Sequence, residues 1–100
     1  MVKEKRWYVG EQTRELHVGD VVIYYNPVGK PFIALVTAVW SKTCLNVVII
    51  SPDESKTDTY GRQIERYTSL GWLGMGGQVY GNNWGFLDEQ PNPIVAPLQT

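Results

Sequence analysis

One hundred residues, 43% of them hydrophobic and 12% aromatic, suffice for one domain with its own core and no metal or disulfide staples. A formal net charge of −1 argues against a chain that lives on phosphate contacts, which bring a basic excess or a basic face. The single cysteine, Cys44, excludes an intramolecular disulfide, and no run approaches the roughly 20 apolar residues of a membrane-spanning helix.

Residues 1–15 are polar and of mixed charge, with Trp7-Tyr8-Val9 as their only apolar island. They read as an arm that adds a short strand or stays partly mobile. The opening Met1–Tyr8 also lacks the apolar stretch of a signal peptide, so a cytoplasmic setting is expected. From Leu16 to Asp88 the pattern is that of a folded domain. His17-Val18-Gly19-Asp20 is turn chemistry, followed by the β-branched and aromatic run Val21 to Tyr25. Asn26 to Pro31 stops that strand, because proline lacks a ladder N–H and glycine permits a tight reversal.

Phe32 to Trp40 is the strongest predicted strand. Neither of its alternating sets is strongly polar, which predicts cover on both sides along part of its length. After the short turn Ser41-Lys42-Thr43, Cys44 to Ile50 reads as a second apolar strand, antiparallel to the first because the connection is of hairpin length. Cys44 within this run reads as a small buried hydrophobe. Ser51 to Asp58 is a polar loop, and Tyr60 to Tyr67 admits a strand or one short helix. The four glycines of Gly71 to Gly77 predict a flexible or sharply bent loop, with Trp72 at its tip. Val79-Tyr80 and Trp84 to Leu87 predict a closing hairpin turned at Gly81-Asn82-Asn83. Residues 89–100 carry Pro91, Pro93 and Pro97 and read as an extended tail.

Short strands, tight turns and almost no helical periodicity predict a mostly β fold, a small barrel of five or six strands. An SH3-like or OB-like barrel suits this better than an immunoglobulin sandwich, which needs about seven strands. The domain is expected at 16–88, between an arm at 1–15 and a Pro-rich tail at 89–100.

The catalytic constellations are thin. His17 is the only histidine and sits at a predicted turn, so a base beside a nucleophile is not in view. One Cys and one His do not make a zinc site. The glycines are followed by Gln78-Val79-Tyr80, neither the Lys-Ser/Thr of a P-loop nor the third glycine of a dinucleotide fingerprint. Glu65, Asp53/Glu54, Asp58 and Asp88/Glu89 are the supply of carboxylates, and nothing in their spacing favours a glycosidase pair. No enzyme, metal or cofactor is expected.

Aromatics are the unusual resource, more than a small barrel core readily takes up. Trp40 and Trp84 are expected in the core or at its rim, whereas the arm and the glycine loop are expected to meet partners through Trp7, Tyr8, Trp72, Leu73, Met75 and Tyr80.

The stretch from His17 to Ile50 and beyond resembles a loosely defined group of small phage and prophage proteins. It carries a Val18-Gly19-Asp20 opening, an Ala34-Leu35-Val36-Thr37-Ala38-Val39 strand, and an apolar strand ending in Ser51-Pro52-Asp53. A Trp-containing closing strand, here Trp84, matches that pattern as well. The resemblance covers about a third of the chain and implies an SH3-like barrel of viral origin, without catalytic residues. The glycine-rich insertion from Gly71 to Gly77 and the long ends depart from the pattern. The expectation is a non-enzymatic structural or accessory protein in the host cytoplasm or the virion, such as a decoration or connector component. Its partners would be protein subunits in a homo-oligomer or larger viral assembly, with neither nucleic acid nor membrane. The alternative is a small intracellular module that holds nucleic acid or a peptide with exposed aromatics.

Overall fold

The computed structural model describes residues 12–75 and 82–89. Five strands close a barrel in the order β1 (Val21–Tyr25), β2 (Pro31–Val39), β3 (Cys44–Ile50), β6 (Ile64–Trp72) and β7 (Asn83–Gly85). Two further short strands, β4 (Thr57–Asp58) and β5 (Gly61–Arg62), form a separate hairpin on the connection into β6. A 3₁₀ turn, Leu73–Met75, leaves the end of β6. The architecture is therefore the small SH3-like, all-β barrel that the strand pattern predicts.

The turns form where the local chemistry supplies them. At the first, the Asp20 carboxylate accepts the His17 N–H at 2.8 Å, and Gly19 takes a φ of 96°. At the β1–β2 reversal, Asn26 Oδ1 accepts the N–H groups of Val28 at 3.0 Å and Lys30 at 2.9 Å. Two bulges then bend the strands so that five can close. Thr37 is the extra residue of β2 against β3, and Thr68-Ser69 stand opposite the single Asn46 in β6. Ser69 has a φ of 56°, and its N–H donates to Asn46 Oδ1 at 2.8 Å. The same oxygen accepts Trp40 Nε1–H at 2.9 Å, so one amide serves a bulge and holds an indole.

Alternate residues point inward. Val22 and Tyr24, Ala34 and Val36, Leu45, Val47 and Ile49, Leu70, Trp72 and Trp84 make the core. Trp84 is fully buried and donates its Nε1–H to the Thr43 carbonyl at 3.0 Å. Phe86 stands edge-on to it, at 81° and 5.1 Å. The described part of the arm lies on this end. Gln12 is buried and its Nε2 donates to the Lys42 carbonyl at 2.8 Å. Arg14 grips Asp88 through two hydrogen bonds of 3.0 Å and covers the Phe86 ring.

Several expectations are corrected here. Strand β2 is covered on one side only: Ala34 and Val36 are buried, but Ile33, Leu35 and Val39 are exposed. Trp40 is not in the core; it is 64% exposed on the outer surface. Of the two readings open for Tyr60–Tyr67, strand holds: after a turn at Tyr60 come β5 (Gly61–Arg62) and the start of β6 at Ile64. Gly71 and Trp72 belong to β6 where a flexible or sharply bent loop was expected, and the bend comes only after them, in the 3₁₀ turn that starts at Leu73. Asn83 lies in β7 and not in a turn, and β7 pairs with β1 antiparallel and with β6 parallel. The other arm of the expected closing hairpin, Val79-Tyr80, lies outside the described residues.

Candidate docking face

The most distinctive surface of the barrel follows from where the β2–β3 ladder stops. Strand β2 pairs with β1 along its first half, from Leu35 opposite Val21 to Pro31 opposite Tyr25. Strand β3 pairs with β6 as far as Ile50 opposite Ile64. Between β2 and β3 themselves, pairing ends at Leu35–Val48. The Val36 N–H and C=O bond toward the β1 side, to Asp20 and Gly19. By alternation Leu35 and Ile33 face β3. Ser51 N–H bonds toward β6, at Gln63, so Val48 and Ile50 face β2. The next rung would be Ile33–Ile50, and it is not formed.

The two strands thus part into a wedge, and apolar side chains line it. Phe32, Ile33, Ala34 and Leu35 stand on one bank and Val48, Ile49 and Ile50 on the other, with Ile64 beyond, around a groove of about 400 Å³. Ile33 is 63% and Ile50 61% exposed. Val21 continues the face across β1, being opposite Leu35 and exposed. Exposed apolar groups gathered in one place mark a contact surface more often than scattered ones do. All eight lining side chains are uncharged. Cations lie beside them: the Lys30 Nζ stands 5.6 Å from the Phe32 ring centroid, and Arg66 is the cross-strand neighbour of Val48.

Below the groove a polar clamp ties β3 to β6. The Glu65 carboxylate accepts the Ser51 hydroxyl at 2.6 Å and the Tyr67 hydroxyl at 2.5 Å, with Lys56 Nζ at 3.8 Å. Those two hydroxyl donors hold the Glu65 carboxyl below its ordinary range, and Glu65 in turn pushes the Tyr67 phenol well above the usual tyrosine range. Ser51 is fully buried, and its backbone carbonyl accepts Arg62 Nη1–H at 2.8 Å. This is a saturated structural network in which the serine donates to a carboxylate. Among the described residues, no group of three His, Cys, Asp or Glu side chains is placed to hold a metal ion. Cys44 is half-buried at the start of β3.

The residues expected to meet partners fall elsewhere. Trp7, Tyr8 and Tyr80 lie outside the described residues, and Met75 ends the 3₁₀ turn. Trp72 and Leu73 are buried, which corrects their expected exposure. The Trp72 indole lies 6.4 Å from Trp84, donates Nε1–H to Glu89 at 3.2 Å, and folds over Gly74. The glycine beside it therefore serves close packing. Sequence reasoning missed the groove, although a signal was there: both alternating sets of β2 are apolar, and a barrel has only one inside. No family model, curated protein or solved structure matches the chain.

Proposed function

We propose that this chain is a non-enzymatic protein-contact module, a structural or accessory component that docks onto other protein subunits through the outer face of β1, β2, β3 and β6. The observation that carries this reading is the apolar groove around Ile33 and Ile50, where large aliphatic side chains stand in solvent on an otherwise well-packed barrel. The resemblance of the His17–Asp53 stretch to small phage proteins supports a viral assembly as the setting, in the virion or the host cytoplasm.

Site-specific photo-crosslinking tests it. With a benzoyl-phenylalanine at Leu35, cells that naturally make the protein are expected to yield one discrete protein adduct. The same label at Tyr60, exposed at the turn of the β4–β5 hairpin and not among the groove-lining residues, is expected to yield none. Absence of an adduct at Leu35, or the same adduct at both positions, would remove the face from consideration.

A further inference from the structure

Resting on that reading, the backbone at the seam points to how the contact is made. We propose that the open half of the β2–β3 seam accepts a short extended strand from a partner protein, apolar where it crosses the groove and acidic at its ends.

The first support is backbone chemistry. The β2–β3 register ends at Leu35–Val48, and by alternation the main-chain groups of Ile33 and Ile50 point across the seam beyond it. An extended peptide satisfies such groups by joining the sheet, and alternate side chains of that peptide then settle on the apolar banks. Neither a helix nor a flat apolar surface supplies those hydrogen bonds. The site also limits its guest. Pro31 has no N–H to offer at the start of β2, and Pro52 follows β3, so only a short strand has a continuous edge to pair with.

The second support is charge. The groove contains no charged side chain, and its nearest neighbours include Lys30 at the mouth and Arg66 beside Val48. Among the described residues neither enters an ion pair. Two acids of this end are already engaged, Glu65 by Ser51, Tyr67 and Lys56, and Asp53 by the Ser55 N–H and hydroxyl. A strand with aliphatic residues in its middle and glutamate at its ends is complementary to this arrangement, whereas a lysine-flanked strand is repelled.

Fluorescence polarisation on the full chain tests the proposal with a labelled synthetic peptide, acetyl-Glu-Val-Thr-Val-Thr-Val-Glu-amide. Saturable binding is expected, at least tenfold stronger than for the same peptide flanked by lysines. Two further peptides, N-methylated at alternate residues in the two possible frames, remove the N–H donors of one strand edge each. At least one of them is expected to lose tenfold or more. Ile33→Asp abolishes binding with an unchanged circular dichroism spectrum, and Lys30→Glu narrows or reverses the charge preference in a protein whose apolar groove is intact. Three results overturn the proposal: no saturable binding of the parent peptide; undiminished binding of both N-methylated peptides, which leaves plain apolar adhesion; or a concentration-dependent dimer that Ile33→Asp dissociates and the peptide does not, which makes a second copy the occupant. A discrete adduct from Leu35 without peptide binding keeps the contact face and rejects the strand.

Discussion

The two halves of the β2–β3 seam are built from much the same amino acids and end in opposite conditions. In the upper half, Val36 and Val39 meet Val47 and Leu45 across a formed ladder, and Asn46 holds the bulge and the Trp40 indole. In the lower half, Ile33 and Ile50 face each other without a rung and stand in solvent. Apolar composition alone therefore does not bury a residue. Burial follows the face of the sheet a residue occupies: inward Ala34 and Ile49 are buried beside the missing rung, whereas outward Leu35 and Val39 are exposed where the ladder is formed. The zipped half is the scaffold, and the open half is free to meet something else.

Four measurements would break or sharpen this contrast, and the largest effect belongs to the core at the closed end of the seam, where the β7 indole of Trp84 bonds Thr43 in the β2–β3 turn. Trp84→Ala removes a fully buried ring that stands beside Phe86 and Trp72. It should cost about 3–5 kcal/mol in urea unfolding, a large share of the stability of a domain this size. The Thr43 carbonyl keeps one donor, the Trp72 N–H at 3.0 Å, so the loss is mainly cavity and not an orphaned acceptor. An effect below about 1 kcal/mol would mean that the core is not organised around this ring.

Next is Gly74. A methyl group there would run into the Trp72 ring, so Gly74→Ala forces the indole or the 3₁₀ turn to move. We expect a loss of about 1–3 kcal/mol, read as a lower urea midpoint. Gly71→Ala is the matched control, because its nearest neighbour would be 3.9 Å away. If the two substitutions behave alike, the packing of Trp72 over Gly74 is not what requires glycine.

The Glu65 clamp gives a pH-dependent effect. Its folded-state carboxyl is depressed, so its contribution is fully present above the unfolded carboxylate value of 4.5 and is lost as pH falls through the lower folded value. Unfolding midpoints of the native protein should therefore drop on acidification through that window, and Glu65→Gln should flatten the slope. At neutral pH Glu65→Ala should cost about 1–3 kcal/mol, since the buried Ser51 hydroxyl loses its acceptor. Equal slopes for the native protein and Glu65→Gln would place the acid sensitivity elsewhere.

The smallest stability effect is expected in the open half. Ile33→Thr and Ile50→Thr replace exposed side chains and should change unfolding by no more than about 0.5 kcal/mol each. Binding of an apolar dye such as ANS should fall in the same variants. A large stability loss from either would show that the groove is part of the core and would remove the contrast between the two halves.

Much of this fold is legible in the residues. Strands β1 and β3 appear where β-branched and aromatic runs lie between turn-forming residues, and Cys44–Ile50 is found with the bounds its pattern indicates. Local chemistry determines these elements: Asn26, Gly29 and Pro31 end one strand and start the next whatever surrounds them. The site was not legible. The apolar alternation of β2 states which residues share a face, but only closure of the barrel selects the inside, and that choice left Ile33 and Leu35 outside. Trp72 and Trp40 exchanged their expected places for the same reason. A tryptophan among glycines resembles a loop tip until β6 and β7 pair and bring Trp84 beside it. By itself, then, the sequence determined β1 to β3, the turns between them and the all-β class, because those depend on neighbours a few residues away. Which apolar face is covered, where the β2–β3 ladder stops and what stands open beside Ile33 and Ile50 depend on contacts between distant segments, and only the tertiary structure decided them.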